Sequence, residues 1–375
     1  MIFVAIPIIA FLILFGIKYK KPKNFFEDNM SPAKTTSING LFVMIVIFQH
    51  FKQYITWDAY DKAYYSIALF TTQLIVVSFL FFSGYGMMES TKKKGFSYIQ
   101  SIPKKRFPKL FIDFVIAILL FLIMNLCIGK NYTWQRYLLS LTGWISVGNS
   151  NWYMFAVFCF YIIMYLSFLI CKKRSNLCAV IVTTILSIGY IVGMHFCQPA
   201  WYYDTFICLP AGMFFSLYKD KILAFFKSKY YAYIIISFAV LASFVVLFIF
   251  CRDNPFVFNI ISILFALLLY LTTLKLSIHN CVLNWLGKYT FWIYILQRIP
   301  MIVLKQVGLA SVNKFLYFFV CLAATLVLAV VMKFVSGKIE NLIWRKPKPK
   351  APEPKDPNPK EPALVEEATP ANAEK

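Results

Sequence analysis

Eleven long apolar runs dominate this 375-residue chain and leave few folds open to it. They lie at roughly 1–17, 38–56, 65–88, 107–128, 151–171, 177–195, 203–218, 230–251, 255–277, 282–304 and 314–335. A helix of about 17–25 apolar residues crosses the hydrocarbon of a bilayer and satisfies every backbone N–H and C=O within itself. The strands of membrane barrels instead alternate apolar and polar residues over about 10 positions, which these runs do not. The expected class is therefore all-α: a polytopic helical bundle of about eleven transmembrane helices. Composition agrees, with 60% hydrophobic and 14% charged residues, against about 25% charged in soluble domains.

The first run has neither the basic start nor the small-residue cleavage site of a signal peptide, so an uncleaved span is expected there. The seventh run is short and holds Pro210 and Gly212. It is expected to kink or to line a cavity.

A formal net charge of +22 raises nucleic acid as a partner, but the basic residues sit between the runs, where topology signals belong. Lys18–Lys23, Lys92–Lys94 with Lys104–Arg106, Lys172–Arg174, Lys219–Lys229, Lys275 and Arg345–Lys346 each follow an odd-numbered run. The alternate connections, such as "TWDAYDKAY" and "CQPAWYYD", are poor in basic residues. The positive-inside rule then puts the N-terminus outside and the C-terminus in the cytoplasm of a cell-membrane protein, with the bilayer as partner and no nucleic acid. Segment 131–150, with its Trp and Tyr residues, is expected to lie at an interface. The stretch 341–375 is rich in Pro, Lys and Glu and is expected to stay unfolded.

The nine cysteines are scattered without a C-x-x-C and read as apolar filler, with no metal site. The chain has no P-loop, H-E-x-x-H or G-x-S-x-G motif. Chemistry, if any, must come from the membrane core. Its most conspicuous residue is His50, one of three histidines, at the end of "INGLFVMIVIFQHF". Counted from Ile38, His50 lies about 18 Å along a helix that runs outward. Polar groups at that depth are costly and face a cavity or a partner helix. A histidine there serves either as an interhelical hydrogen-bonding group or as a general base. Gln297 and Arg298 sit at a similar depth in the tenth run. Arg298 there either faces water and a partner such as Asp204, or snorkels to the interface. Asp113 follows Lys109 at i, i+4 and is expected to pair with it.

Several segments together resemble the acyltransferase-3 family of membrane acyltransferases. "INGLFVMIVIFQHF" resembles that family's second-span signature, which ends in a catalytic histidine, here His50. The signature carries a basic residue eleven positions earlier, where this chain has Asn39. "FLFFSGYGMME", with Ser83 and Tyr85, resembles the family's SG-[YF] segment. "KKRFPKL" resembles its R-x-x-R signature, here Arg106 and Lys109. "NWYMFAVFCFYIIMY" resembles its Trp-led span, here Trp152, and "LPAGMFFSLYKDKI" its Pro-Gly segment. "LNWLGKYTFWIYILQRIPM" resembles its LGK-x-S-x-x-IY-x-x-H region, with Gln297 where the family often has histidine.

The resemblance implies a ten-helix acyltransferase core at 38–340, preceded by an extra helix and basic loop at 1–37. It implies transfer of an acyl group, most often acetyl, from acyl-coenzyme A to a hydroxyl of a cell-surface polysaccharide or sugar-lipid. No bound cofactor is implied, since acyl-coenzyme A is the donor substrate. His50 would be the general base, with Arg106 and Lys109 at the donor's cytoplasmic mouth. Gln297 and Arg298 would position the acceptor, and Asn39, Ser83, Tyr85 and Trp152 would support the site. Two other classes remain open at this point: a transporter or flippase of a sugar-linked lipid, and a non-catalytic relative.

Overall fold

The computed structural model describes residues 1–344 apart from Thr72 and Lys173. The tail expected to be unfolded lies, from residue 345 onward, outside the described residues. The chain is 79% helical with almost no sheet. Among the described residues, seven helical stretches are long and apolar enough to cross a membrane: Ala59–Lys94, Phe96–Cys127, Trp152–Ile170, Asn176–His195, Tyr230–Cys251, Pro255–Lys275 and Lys314–Ile343. The Tyr230–Cys251 stretch has mean hydropathy 3.0 and buries none of its apolar window. Phe238, Phe250 and Ile235 stand bare on it. Such a surface needs a hydrocarbon solvent, and this is a multi-pass membrane protein.

The other four expected spans are also helical, for four different reasons short of that standard. The first is a 13-residue helix, Ile2–Leu14, packed on the second. The second, Pro32–Phe51, begins six residues earlier than the apolar run and so includes Lys34. The seventh, Cys208–Ser228, extends past its apolar part into Lys219, Asp220 and Lys221. The tenth is broken into Cys281–Lys288, Thr290–Leu296 and Arg298–Gln306. Pro300 explains the second break. It has no N–H for the carbonyl of Leu296, four residues back, and its ring crowds that carbonyl.

Local sequence sets the helix ends. Ser31 stands before Pro32, and Pro fits the first helical position because the N–H it lacks has no intrahelical partner there. Asn254 caps Pro255–Lys275 and Asn313 caps Lys314–Ile343, each accepting from two backbone N–H groups. Gly95, at φ 64°, ends Leu74–Lys94. The Arg106 segment, Ile102–Arg106, is a π-helical turn between two α-helices.

Two glycine crossings hold the site helices together. A Cβ on Gly40 would sit 2.0 Å from the Leu283 carbonyl oxygen, and one on Gly287 would sit 1.9 Å from that of Thr36. Gly84 and Gly212 repeat the arrangement, against Leu209 O at 1.8 Å and Phe81 O at 2.1 Å. The backbones of Pro32–Phe51 with Cys281–Lys288, and of Leu74–Lys94 with Cys208–Ser228, thus touch directly. Small residues permit this, and within lipid such close packing replaces the hydrophobic effect.

The basic connections gather at one end of the bundle. Lys18–Tyr19 pairs antiparallel with Leu276–Ser277, Lys227 pairs with Glu27, and Glu89 takes both Lys92 and Lys219. Segment 131–150, expected at an interface, contains a short helix, Trp134–Ser140.

Candidate active site

His50 opens into a cavity of about 460 Å³ at the end of the bundle opposite the basic connections. The Pro32–Phe51 helix brings His50 there, Leu74–Lys94 contributes Ile75 and Val76, and the 146–152 connection contributes Ser150 and Trp152. Tyr294 and Arg298 come from either side of the break in the tenth run. His50 Nε2 lies 3.4 Å from Ser150 Oγ, while Nδ1 is buried without a hydrogen-bond partner.

Gln297 does not line the cavity. It is fully buried beside His50. Its Nε2 donates to the Tyr294 carbonyl at 3.1 Å, which fixes the amide orientation and leaves Oε1 unpartnered. A free acceptor and a free ring nitrogen therefore sit as neighbours. The signal in the sequence was Pro300. It breaks the helix just behind Gln297, which is buried in line with Trp292–Leu296 before it.

Arg298 donates from Nη2 to Gln53 Oε1 at 2.9 Å, and its Nε has no partner. The sequence offers Asp204 as one partner, with snorkelling to the interface as the alternative. Asp204 is instead buried with Oδ1 unpartnered, because its segment packs elsewhere, against the Asn259 helix through the Ile207 backbone.

A second, larger cavity of about 640 Å³ opens at the basic end. Tyr85, Lys93, Lys94 and Lys219 line it together with the carboxylates of Glu27, Asp28, Glu89 and Asp220, and with Ser31 and Thr35 from the start of the His50 helix. Lys219 donates to Tyr85 OH at 3.0 Å and pairs with Glu89 at 2.9 Å. Among the described residues no carboxylate pairs with Lys93 or Lys94. The two cavities stack along the same helices. Thr35 and Val46 mark their walls about 16 Å apart at 1.5 Å per residue. Asn39, half-buried with Oδ1 unpartnered, stands on the helix between them.

The remaining expected residues fall outside both cavities. The Arg106 guanidinium lies over the Tyr98 ring, 5.3 Å from its centre. Lys109 pairs with Glu340 at 2.7 Å rather than with Asp113, and Asp113 accepts from Ser336 instead. Both partners, Glu340 and Ser336, come from the Lys314–Ile343 helix, which crosses here and which i, i+4 counting along one helix cannot see. Ser83 is half-buried beside the Gly84 crossing. His195 and His279 bond to Tyr203 OH and Ser37 Oγ, which leaves His50 as the histidine on a cavity.

The acyltransferase-3 family model, described as an acyltransferase domain, matches residues 37–334. The chain belongs to this family. It is thus a membrane acyltransferase, and its matched region contains both cavities' helices except the first turn of the His50 helix. No curated protein and no solved structure matches the acyltransferase.

Proposed function

We propose that this acyltransferase moves an acyl group, acetyl in the simplest case, from acyl-coenzyme A to a hydroxyl of a cell-surface polysaccharide or sugar-lipid. The protein sits in the plasma membrane with eleven spans, its N-terminus outside and its C-terminus in the cytoplasm. The basic end then faces the cytoplasm, where the donor is found, and the His50 cavity faces outward. The core at 38–340 carries the reaction and 1–37 is an added helix and loop.

The observation that carries this reading is the state of His50. Its Nε2 faces a hydroxyl across the cavity and its Nδ1 has a free amide oxygen for a neighbour. A proton on Nδ1, directed at Gln297 Oε1, leaves the lone pair on Nε2. Nε2 then removes the proton of the acceptor hydroxyl as its oxygen attacks the thioester carbonyl. The tetrahedral intermediate collapses with loss of the C–S bond, and the imidazolium returns its proton to the departing thiolate. Gln297 cannot titrate near neutral pH, so its role is to position His50.

The donor's phosphates are taken up at the 640 Å³ cavity by Lys93 and Lys94 as point charges, since Lys219 is already paired with Glu89. Its extended arm passes Asn39 toward His50. Asn39, uncharged where the family has a basic residue, leaves that passage without a fixed cation. Arg106 and Lys109 serve the same end of the bundle from outside the cavity.

The experiment is thiol release from acetyl-coenzyme A by the purified protein in liposomes, with and without a pyranoside acceptor. Acceptor-dependent release with an acylated product supports the reading. Transport of a sugar-lipid without acylation would replace it with the flippase reading.

A further inference from the structure

The His50 cavity is cationic. Lys52 and Arg298 both line it, and among the described residues no Asp or Glu lines it and no carboxylate pairs with either cation. Lys52 donates only to the Ala68 carbonyl, at 3.1 Å. Arg298 keeps its Nε free. Two further groups able to donate in the same cavity, Asn149 Nδ2 and Tyr294 OH, are buried without partners. Uncompensated cations and unmet donors beside a lipid phase are costly, and they persist where a ligand completes them.

The cavity also has an aromatic wall. Trp201 lines it and remains 47% exposed. Trp201 is not a loose interfacial side chain. Its short helical turn, Ala200–Tyr202, is pinned by Tyr202 OH, which accepts from Asn151 Nδ2 at 2.6 Å and donates to Trp144 O at 2.9 Å. Tyr190 OH holds the same turn by donating to Tyr202 O at 3.0 Å. The backbone that carries the indole is thus fixed beside the cavity.

We infer that the acceptor is an anionic sugar: a pyranose whose apolar face lies on Trp201 and whose carboxylate or phosphate is held by Lys52 and Arg298. The inference rests on the acyl-transfer reading for the word acceptor, but the binding preference is independent of turnover. A charge-assisted contact is roughly twice as strong as a neutral one, and Arg suits both kinds of oxyanion.

The test is equilibrium binding to the purified full-length protein in nanodiscs, without donor. The probes are methyl glucuronoside, a methyl glucoside 6-phosphate and uncharged methyl glucoside. At least one charged sugar is expected to bind about tenfold or more tighter than the neutral one, an energy difference of about 1.4 kcal/mol. Which of them does so tells carboxylate from phosphate. Lys52→Gln and Arg298→Gln should each erode that preference, Lys52→Arg should keep it, and Trp201→Ala should weaken charged and neutral sugars alike. Equal binding of all three sugars, no binding by either charged one, or a preference that survives Lys52→Gln combined with Arg298→Gln would overturn the proposal. If the preference holds but thiol release from acetyl-coenzyme A is absent, the acyl-transfer reading fails and the anion site stands. If transfer proceeds equally to neutral sugars, the reverse is true.

Discussion

Ser150 Oγ lies 3.4 Å from His50 Nε2, a hydroxyl at the place where the acceptor's hydroxyl must come. Ser150 therefore marks the reacting position rather than taking part in it. Ser150→Ala is predicted to keep kcat within a few-fold. Ser150→Leu should fill that position and raise KM for the acceptor without changing KM for the donor. A Ser150→Ala enzyme as inactive as one lacking His50 would make the serine a participant, such as an acyl carrier.

Gln297 is predicted to act through His50. Gln297→Leu should lower kcat by on the order of 10- to 100-fold, the range seen when the partner that orients an imidazole is lost. KM for either substrate should change little, because Gln297 does not line the cavity. Gln297→His, which restores an acceptor, should recover most of the rate. The double variant with His50→Ala should be no slower than His50→Ala alone, and additive losses would separate the two residues.

The glycine crossings are predicted to be structural limits on the site. Gly212→Ala puts a methyl 2.1 Å from the Phe81 carbonyl oxygen and must move a helix. A cost of about 1–3 kcal/mol is expected. Gly189 lies inside the Asn176–His195 helix with nothing within 4 Å of its added Cβ. Gly189→Ala should be neutral or slightly stabilising, since Ala is the better helix former. Thermal unfolding in detergent compares the two, and equal midpoints would refute the crossing argument.

Donor affinity separates two sets of cations. Lys93→Gln with Lys94→Gln removes charge from the 640 Å³ cavity, whereas Arg106→Gln with Lys109→Gln removes it outside. The first pair should raise KM for acyl-coenzyme A about tenfold or more, and the second pair by less. The opposite order would return the donor's mouth to the R-x-x-R segment.

Hydropathy made most of this fold legible. Runs of residues such as Tyr230–Cys251 have one physical solution in lipid, and the family's order of short motifs pointed to His50 directly. The tenth run reads as one helix despite Pro300, because a hydropathy window averages over a break. The partners of Lys109 and Asp113 are not legible for another reason. Each is met by a helix or segment distant in sequence, and spacing along one helix carries no information about that. The 640 Å³ cavity is not legible in the sequence because Lys93 and Lys94 look like topology signals until Lys219 is folded beside them.

The most direct test of the central claim is the rate of acceptor-dependent thiol release from acetyl-coenzyme A by His50→Gln beside the wild type, both purified and reconstituted at equal amounts. Loss of a general base typically costs about 10²- to 10⁴-fold. A fall in that range, with unfolding temperature and donor binding unchanged, is the predicted result. A His50→Gln protein that turns over at close to the wild-type rate would contradict it and leave His50 as a hydrogen-bonding group between helices.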